Sequence, residues 1–267
     1  MRSRVSAAVL TGALALAALA VPGAQADTHP GAPRPASASA QLPKAWDVVV
    51  NGGKPVVLGT TAPKKVTVTF KASHPDGVFD AAAELWHGRS WDEQDVSIPS
   101  DGSSASCTSG ATATCRATFS VDPARYMDHN GIAGDRWKAG LSVVANGGKI
   151  LNRPEAKGFA IQRASRLTVN AAPEPVRAGA AITVTGALTR ADWEAYKYSG
   201  YSGQPVKLQF RKAGTDSYTT LTSVRSDRAG KLTTTVKAVT DGYFRYSFVG
   251  TTSTTGVNAT GDFVDVR

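Results

Sequence analysis

Apolar and polar residues alternate with a period of two through much of the second half of the chain. In Gln204–Ala213, Val206, Leu208 and Phe210 alternate with Lys207, Gln209 and Arg211. Gly214–Asp216 reads as a turn, and Ser217–Arg225 alternates again. Asp227–Gly230 is a second turn, before Lys231–Val239. Asp241 and Gly242 break that run, and the aromatic stretch Tyr243–Val249 follows. Strand-period runs punctuated by Gly and Asp at about ten-residue spacing predict an antiparallel β-sandwich. The outward residues of this stretch are Lys, Arg, Thr and Ser, and the pattern marks no site among them.

The same pattern extends in both directions. Arg166–Asn170, Ala180–Leu188 and Asp262–Arg267 complete one sandwich over 164–267, with a kink at Pro173–Pro175 where proline suits a sheet edge. Thr189–Gly203 reads as a long aromatic loop. Upstream, 45–163 predicts a second sandwich. Trp46–Val50 is a short strand, and Val66, Val68 and Phe70 share one face of Lys65–Ser73. Phe79–His87 suits helix or strand locally, and strand is favoured between sheet neighbours. Gly88–Gly102 reads as a polar loop, and Pro123–Tyr126 as one helical turn. In Arg136–Asn146, Trp137, Ala139, Leu141, Val143 and Ala145 fall on one face. Two Asn-Gly-Gly-Lys turns, Asn51–Lys54 and Asn146–Lys149, read as hairpin turns because glycine tolerates positive φ. No 3.6-residue apolar period persists for three turns. The fold class is therefore all-β, with two tandem immunoglobulin-like sandwiches. Ile161–Arg163 runs almost directly into Leu167, a joint that should limit bending.

The N-terminus adds a location. Arg2 and Arg4 precede the apolar run Val5–Ala20, and Ala24-Gln25-Ala26 is a small-residue cleavage site. This predicts a signal peptide over 1–26, cleavage after Ala26, and a secreted product with no membrane anchor. Residues 27–44, rich in Pro, Ala and Ser, predict a disordered tether. The only cysteines, Cys107 and Cys115, predict a disulfide in an exported chain. Closing that short loop is worth about 2.5 kcal/mol in the chain-entropy estimate.

Net charge is +9. The excess lies in 164–267, with 13 basic and 8 acidic residues, against 13 and 12 in 45–163. Such a balance suits an anionic surface, such as teichoic acids or an acidic polysaccharide, or a solvated sheet face. Nucleic acid is excluded as a partner, because the basic residues alternate along strands without a run or an RNA-binding motif.

Three stretches resemble a known group: SRLTVNAAPEPVRAGAAITVTGALTRADW, YSGQPVKLQFRKAG and DGYFRYSFVG. They resemble the C-terminal immunoglobulin-like domain of secreted actinobacterial proteins, chiefly from Streptomyces, whose function is unknown. VNGGKPVVLGTT, LWHG and the two cysteines look like the N-terminal partner domain of that group. The resemblance implies origin and fold, and it brings no catalytic residue. Some members of the group carry a calcium-binding label.

Candidate chemistry is sparse. Trp193, Tyr196, Tyr198 and Tyr201 could form a flat platform for sugar rings, or could plug the open end of the sandwich. Trp86 and Trp91, beside His87 and Arg89, pose the same alternative. Asp76, Asp80, Asp92 and Asp95 are candidate calcium ligands, although no EF-hand spacing is present. No G-x-S-x-G elbow and no H-x-x-x-H metal spacing occurs. Glu84 and Asp92 are the only carboxylate pair singled out for glycoside chemistry. The sequence therefore predicts a non-enzymatic extracellular binding or structural protein without a cofactor. Two alternatives are a carbohydrate or cell-wall module using 189–203, and a calcium-stabilised domain. Its partner would be an envelope polysaccharide or another extracellular protein.

Overall fold

The structure is a computed structural model, and it describes residues 40–267. The signal peptide expected over 1–26 and residues 27–39 of the tether lie outside the described residues. The tether's last residues do not hang free. Lys44 opens the first strand, Pro43 is buried, and the Gln41 carbonyl accepts 2.8 Å from His74 Nε2.

The first sandwich uses nine strands. They are β1 (Lys44–Val50), β2 (Val56–Leu58), β3 (Lys64–Ser73), β4 (Val78–Gly88), β5 (Gln94–Pro99), β6 (Ser106–Cys107), β7 (Thr112–Val121), β8 (Gly134–Ala145) and β9 (Ile150–Arg163). One sheet has the order β1-β3-β7-β6, and the other β2-β9-β8-β4-β5. Period-two burial builds the core: Val66, Val68 and Phe70 of β3 face Leu85, Trp137, Ala139 and Val143 of β4 and β8. Pairing is antiparallel throughout this sandwich except between β2 and β9. The helical turn expected at Pro123–Tyr126 is present, and Asp122 Oδ1 caps it by accepting from Ala124 N at 2.9 Å.

The second sandwich uses ten strands. They are β10 (Ser165–Leu167), β11 (Asn170–Ala172), β12 (Ala181–Asp192), β13 (Lys197–Gly200), β14 (Pro205–Lys212), β15 (Thr219–Arg225), β16 (Lys231–Lys237), β17 (Gly242–Phe248), β18 (Val257–Asn258) and β19 (Asp262–Val264). One sheet is built around the long β12, which pairs with β10, β11, β13 and β16. The other runs β15-β14-β17-β18, with β19 also on β17. Gly186 lies where the chain passes between β10 and β11. A Cβ there would strike the Thr168 carbonyl and approach Tyr246 Cδ2 to 2.9 Å.

Three local expectations are corrected. Gly88–Gly102 is not simply a loop: it contains β5, paired with β4 from Glu84↔Pro99 to Gly88↔Gln94. Asn51–Lys54 does not make a hairpin, because β1 pairs with β3 while β2 crosses to the other sheet beside β9. The turn expected at Asp227–Gly230 is present, and it too carries the chain between sheets, since β15 pairs with β14 and β16 with β12. A local turn signal reports a reversal and not the partner on the far side. Thr189–Gly203 is the largest correction. Its first residues continue β12, and Thr189↔Gly200 through Asp192↔Lys197 form a hairpin with β13.

Cys107 and Cys115 face each other in the β6–β7 ladder and form the disulfide. It pins a two-residue edge strand that its ladder alone would hold weakly. In the second core, Tyr246 of β17 reaches across to β12, and its hydroxyl donates to the Val184 carbonyl at 2.9 Å. Burial pushes its pKa up to about 12. This is a polar tie between two otherwise apolar sheet faces. Tyr246→Phe keeps the ring and removes the donor, so it should cost about 1 kcal/mol of stability in urea denaturation.

Candidate functional site

Two features follow from how the strands are arranged: a groove on the first sandwich, and the joint between the sandwiches.

The groove lies on the outer face of the β9-β8-β4-β5 sheet. Ala81, Ala83 and Leu85 point into the core, so Ala82, Glu84 and Trp86 of β4 point out. Next to them on β8 stand Gly140 and Ser142. The β8–β9 ladder is interrupted here: Ala139 pairs with Lys157, but Leu141 pairs with Arg153. The extra residues of β9, beginning at Pro154, bulge opposite Gly140. A Cβ on Gly140 would sit 3.1 Å from the Pro154 carbonyl oxygen and 3.5 Å from Trp91 Cζ3. Gly140 therefore lets both walls close over a low floor. The resulting groove encloses about 860 Å3. Trp91 and Pro154 line it, with Ser142, Asn152, Ser100 and Ser103 as polar groups.

Trp91 is held in place from beneath. Its ring meets Trp86 edge-on at 5.6 Å between centroids. Trp86 is fully buried although it sits on the outer face. Its indole N–H donates to the Pro154 carbonyl at 2.7 Å, and Lys138 Nζ lies 4.2 Å from its ring centroid. Lys138 in turn donates to the Gly88 carbonyl at 2.9 Å. Trp86 is thus a support, and Trp91, 37% exposed, is the ring that meets solvent.

Both carboxylates at the groove are engaged. Glu84 accepts from Ser97 Oγ. Asp101 accepts from Lys65 Nζ at 2.7 Å and Ser120 N at 2.8 Å. The Lys65 bond holds the Asp101 carboxyl below the usual range.

The joint takes up most of the expected aromatic platform. Trp193 sits at the tip of the β12–β13 hairpin and is buried within the first sandwich's core. Its indole N–H donates to the Gly59 carbonyl at 2.8 Å, and its backbone N–H to Asn130 Oδ1 at 3.0 Å. Asn130 also donates from Nδ2 to Asp192 Oδ1 at 2.9 Å, and from its backbone N to Glu194 Oε1 at 2.7 Å. Tyr198 packs under the Arg166 guanidinium at 3.6 Å, and Tyr201 under Arg190 at 3.8 Å. Tyr198 and Tyr201 are half-buried, and Tyr196, 56% exposed, is the most open of the four. These four residues therefore form no shared platform: large flat rings gain more by filling the gap between sandwiches than by facing water.

Arg163, the last residue of β9, completes the joint. Its backbone N–H donates to the Ser253 carbonyl at 2.9 Å, and its carbonyl accepts from Thr255 N at 3.1 Å. Its buried side chain donates from Nε to the Ala191 carbonyl. Burial first, and then the neighbouring Arg190, push its pKa down to about 10. The bond from Asn130 holds the Asp192 carboxyl below the usual range.

The acidic candidates are not gathered. Asp95 Oδ1 accepts from His87 Nδ1 at 2.6 Å, Asp76 lies beside His74, and Asp92 stands on a short 3-10 turn after Ser90. Among the described residues no three His, Cys, Asp or Glu side chains come together as a metal site. Of the pair Glu84 and Asp92, Glu84 is bonded to Ser97 and lines the groove, and Asp92 is not among the residues lining it. Sequence reasoning found Trp91 but missed Gly140, Ser142, Asn152 and Pro154. A glycine inside the cleanest strand and a proline inside its partner were the available signals of a bulge. Among the described residues no helix is long and apolar enough to cross a membrane.

No protein-family model and no curated protein matches the chain. Among solved structures it is similar to the D00-D0 domain of intimin, at 13% identity over 81% of this chain and 98% of that one, with a TM-score of 0.26. It is also similar to the Escherichia coli adhesin FdeC, at 19% identity over 80% and 62%, with a TM-score of 0.28. The Yersinia pseudotuberculosis adhesin InvE matches at 15% identity over 82% and 58%, with a TM-score of 0.26. At such scores these likenesses carry no argument about function.

Two outcomes follow from the joint. Wild type should unfold in one urea transition, and Trp193→Ala should lose about 3–5 kcal/mol and separate the two sandwiches' transitions. The second concerns acid. A carboxyl held below its usual value contributes stability that is present above pH 3.8, the ordinary Asp value, and is lost as pH falls through the lower folded value. Trp193 emission should therefore shift to the red below that pH. In Asp192→Asn the joint should be weaker at pH 7, and this acid-dependent part should be gone.

Proposed function

We propose that this is an exported, non-catalytic protein that binds a neutral glycan outside the cell, through the groove walled by Trp91. The carrying observation is the groove's make-up. One supported indole edges a low floor of small residues, and Ser142, Asn152, Ser100 and Ser103 surround it together with Glu84 and Asp101, whose carboxylates disfavour an anionic ligand. A pyranose offers an apolar C–H face to an aromatic ring and hydroxyls to neutral donors and acceptors, and this lining provides both. The volume, about 860 Å3, is in the range of sites that bury most of a small ligand.

Several observations support the rest of the reading. Export fits the N-terminal sequence and a disulfide, which persists in an oxidising compartment. An actinobacterial origin rests on the sequence resemblance of stretches in both sandwiches. A binding role fits the engaged carboxylates, because Glu84 is bonded to Ser97 and Asp101 is held in its charged form by Lys65. Neither is a free acid poised to protonate a leaving group.

Affinity electrophoresis through gels containing soluble glucan, mannan or xylan tests the reading. Wild type should be retarded by at least one polymer. Trp91→Ala should lose about 2 kcal/mol of affinity, roughly 30-fold, while Tyr196→Ala migrates as wild type. If wild type runs freely in all of them, or Trp91→Ala is retarded equally, the reading is wrong.

A further inference from the structure

The outer face of the β15-β14-β17-β19 sheet carries a continuous row of rings and guanidinium groups. The pleat turns Phe244, Tyr246 and Phe248 of β17 inward, and so turns Tyr243 and Arg245 outward. On β14 the outward residues are Lys207, Gln209 and Arg211. Register places Arg211 opposite Tyr243 and Gln209 opposite Arg245. On the other side of β17, Tyr243 stands opposite Phe263 of β19.

The side chains interleave. Phe263 and Tyr243 have ring centroids 5.2 Å apart. The Arg211 guanidinium lies 4.1 Å from the Tyr243 ring centroid and 5.4 Å from that of Tyr218. Arg245 lies 3.7 Å from the Tyr218 ring centroid, and its Nε donates to Gln209 Oε1 at 2.9 Å. Two planar cations are thus held in place by rings and neutral groups.

Neither cation is neutralised. Among the described residues, no carboxylate forms an ion pair with Arg211 or Arg245. Three of the nearby acids are used elsewhere. Asp241 accepts from Val266 N, Asp262 accepts from Ala171 N, and Asp265 pairs with Arg267. Asp216 acts on Arg211 through its charge, without an ion pair. Lys207 and Lys212 stand exposed on the same strand.

We propose that this face binds an acidic polysaccharide. Carboxylates of its uronic acid units pair with the guanidinium groups of Arg211 and Arg245, and its sugar rings stack on Tyr243 and Phe263. Charge complementarity selects an anion, and the fork of an arginine matches a carboxylate through two parallel N–H donors. The rings select among anions. Phe263 is 40% exposed at the end of the row, and an inorganic polyanion has no apolar face to place against it. The site lies on the other sandwich from the Trp91 groove and requires nothing of it.

The test is calorimetric titration of the full-length secreted protein with oligogalacturonate, fully methyl-esterified oligogalacturonate and polyphosphate. Oligogalacturonate should bind, and its affinity should fall as salt rises. The methyl ester, with the same sugars and no charge, should bind at least tenfold more weakly. Arg211→Ala/Arg245→Ala should abolish binding. Arg211→Lys/Arg245→Lys keeps the charge and should still lose several-fold, because the fork and the stacking are gone. Phe263→Ala should weaken oligogalacturonate several-fold and leave any polyphosphate binding unchanged. Trp91→Ala should leave oligogalacturonate binding intact, which separates this site from the groove. The proposal is overturned if wild type does not bind oligogalacturonate, or if the ester binds equally. It is also overturned if polyphosphate binds as tightly and Phe263→Ala changes neither ligand, or if the double lysine variant matches wild type.

Discussion

The hairpin that carries Trp193 from the second sandwich into the first is the contact on which the described structure depends. An immunoglobulin-like sandwich is closed along its faces and open at its ends, where apolar residues would meet water. Here the open end of the first core is filled by an indole from its neighbour, and the same hairpin presents Asp192 and Glu194 to Asn130. The chain between the sandwiches is a single residue, Ala164, whose N–H bonds to the Leu58 carbonyl at 2.8 Å. The backbone of Arg163 then joins the ladder of the second sandwich. Apolar filling and directional hydrogen bonds therefore act on the same few residues. Filling alone would tolerate rotation about the joint, whereas the bonds from Asn130 and Gly59 fix the angle.

Committing the aromatic hairpin to the joint changes where a ligand can bind. Rings that looked available in sequence are used for packing, and the open surfaces lie elsewhere. On the first sandwich a bulge in β9 opposite Gly140 breaks the flatness of a five-stranded sheet and leaves Trp91 beside a trough. On the second, the sheet stays regular and its outer face is a row of Arg, Tyr and Phe. One surface is concave, lined by serines, an asparagine and two engaged carboxylates, while the other is flat and cationic. Two different glycan chemistries on two sandwiches held at one angle would let a single polymer, or two polymers in one matrix, be engaged together.

Polar groups in this fold are closely accounted for. Among the described residues every buried side-chain nitrogen and oxygen has a hydrogen-bond partner. Glu84, Asp101, Asp241, Asp262 and Asp265, near the two surfaces, bond to a backbone N–H, accept from a serine or pair with a cation. General acid chemistry needs a carboxyl kept protonated by burial or by a like charge, and Asp101 and Asp192 are instead held in the charged form.

The sequence by itself determined most of the strands, though not β5 or β13, and the class of fold and the disulfide. Val66, Val68 and Phe70, or Trp137 through Ala145, can be read as buried faces because the side-chain period of a strand is a local property of the backbone. The sequence also singled out Trp91 and Trp193, but it could not separate their roles. Whether a ring is buried depends on what lies above it, and for Trp193 that is Gly59 and Asn130, both more than sixty positions away. Turn signals such as Asn51-Gly52-Gly53 marked reversals without saying whether the chain would return to the same sheet. The groove and the cationic row were the least legible features. Gly140 with Pro154, and Arg211 with Tyr243 and Phe263, become neighbours only through inter-strand register, and register is set by the whole core. Local chemistry thus decided which residues form strands, and only tertiary packing decided which side chains meet across them.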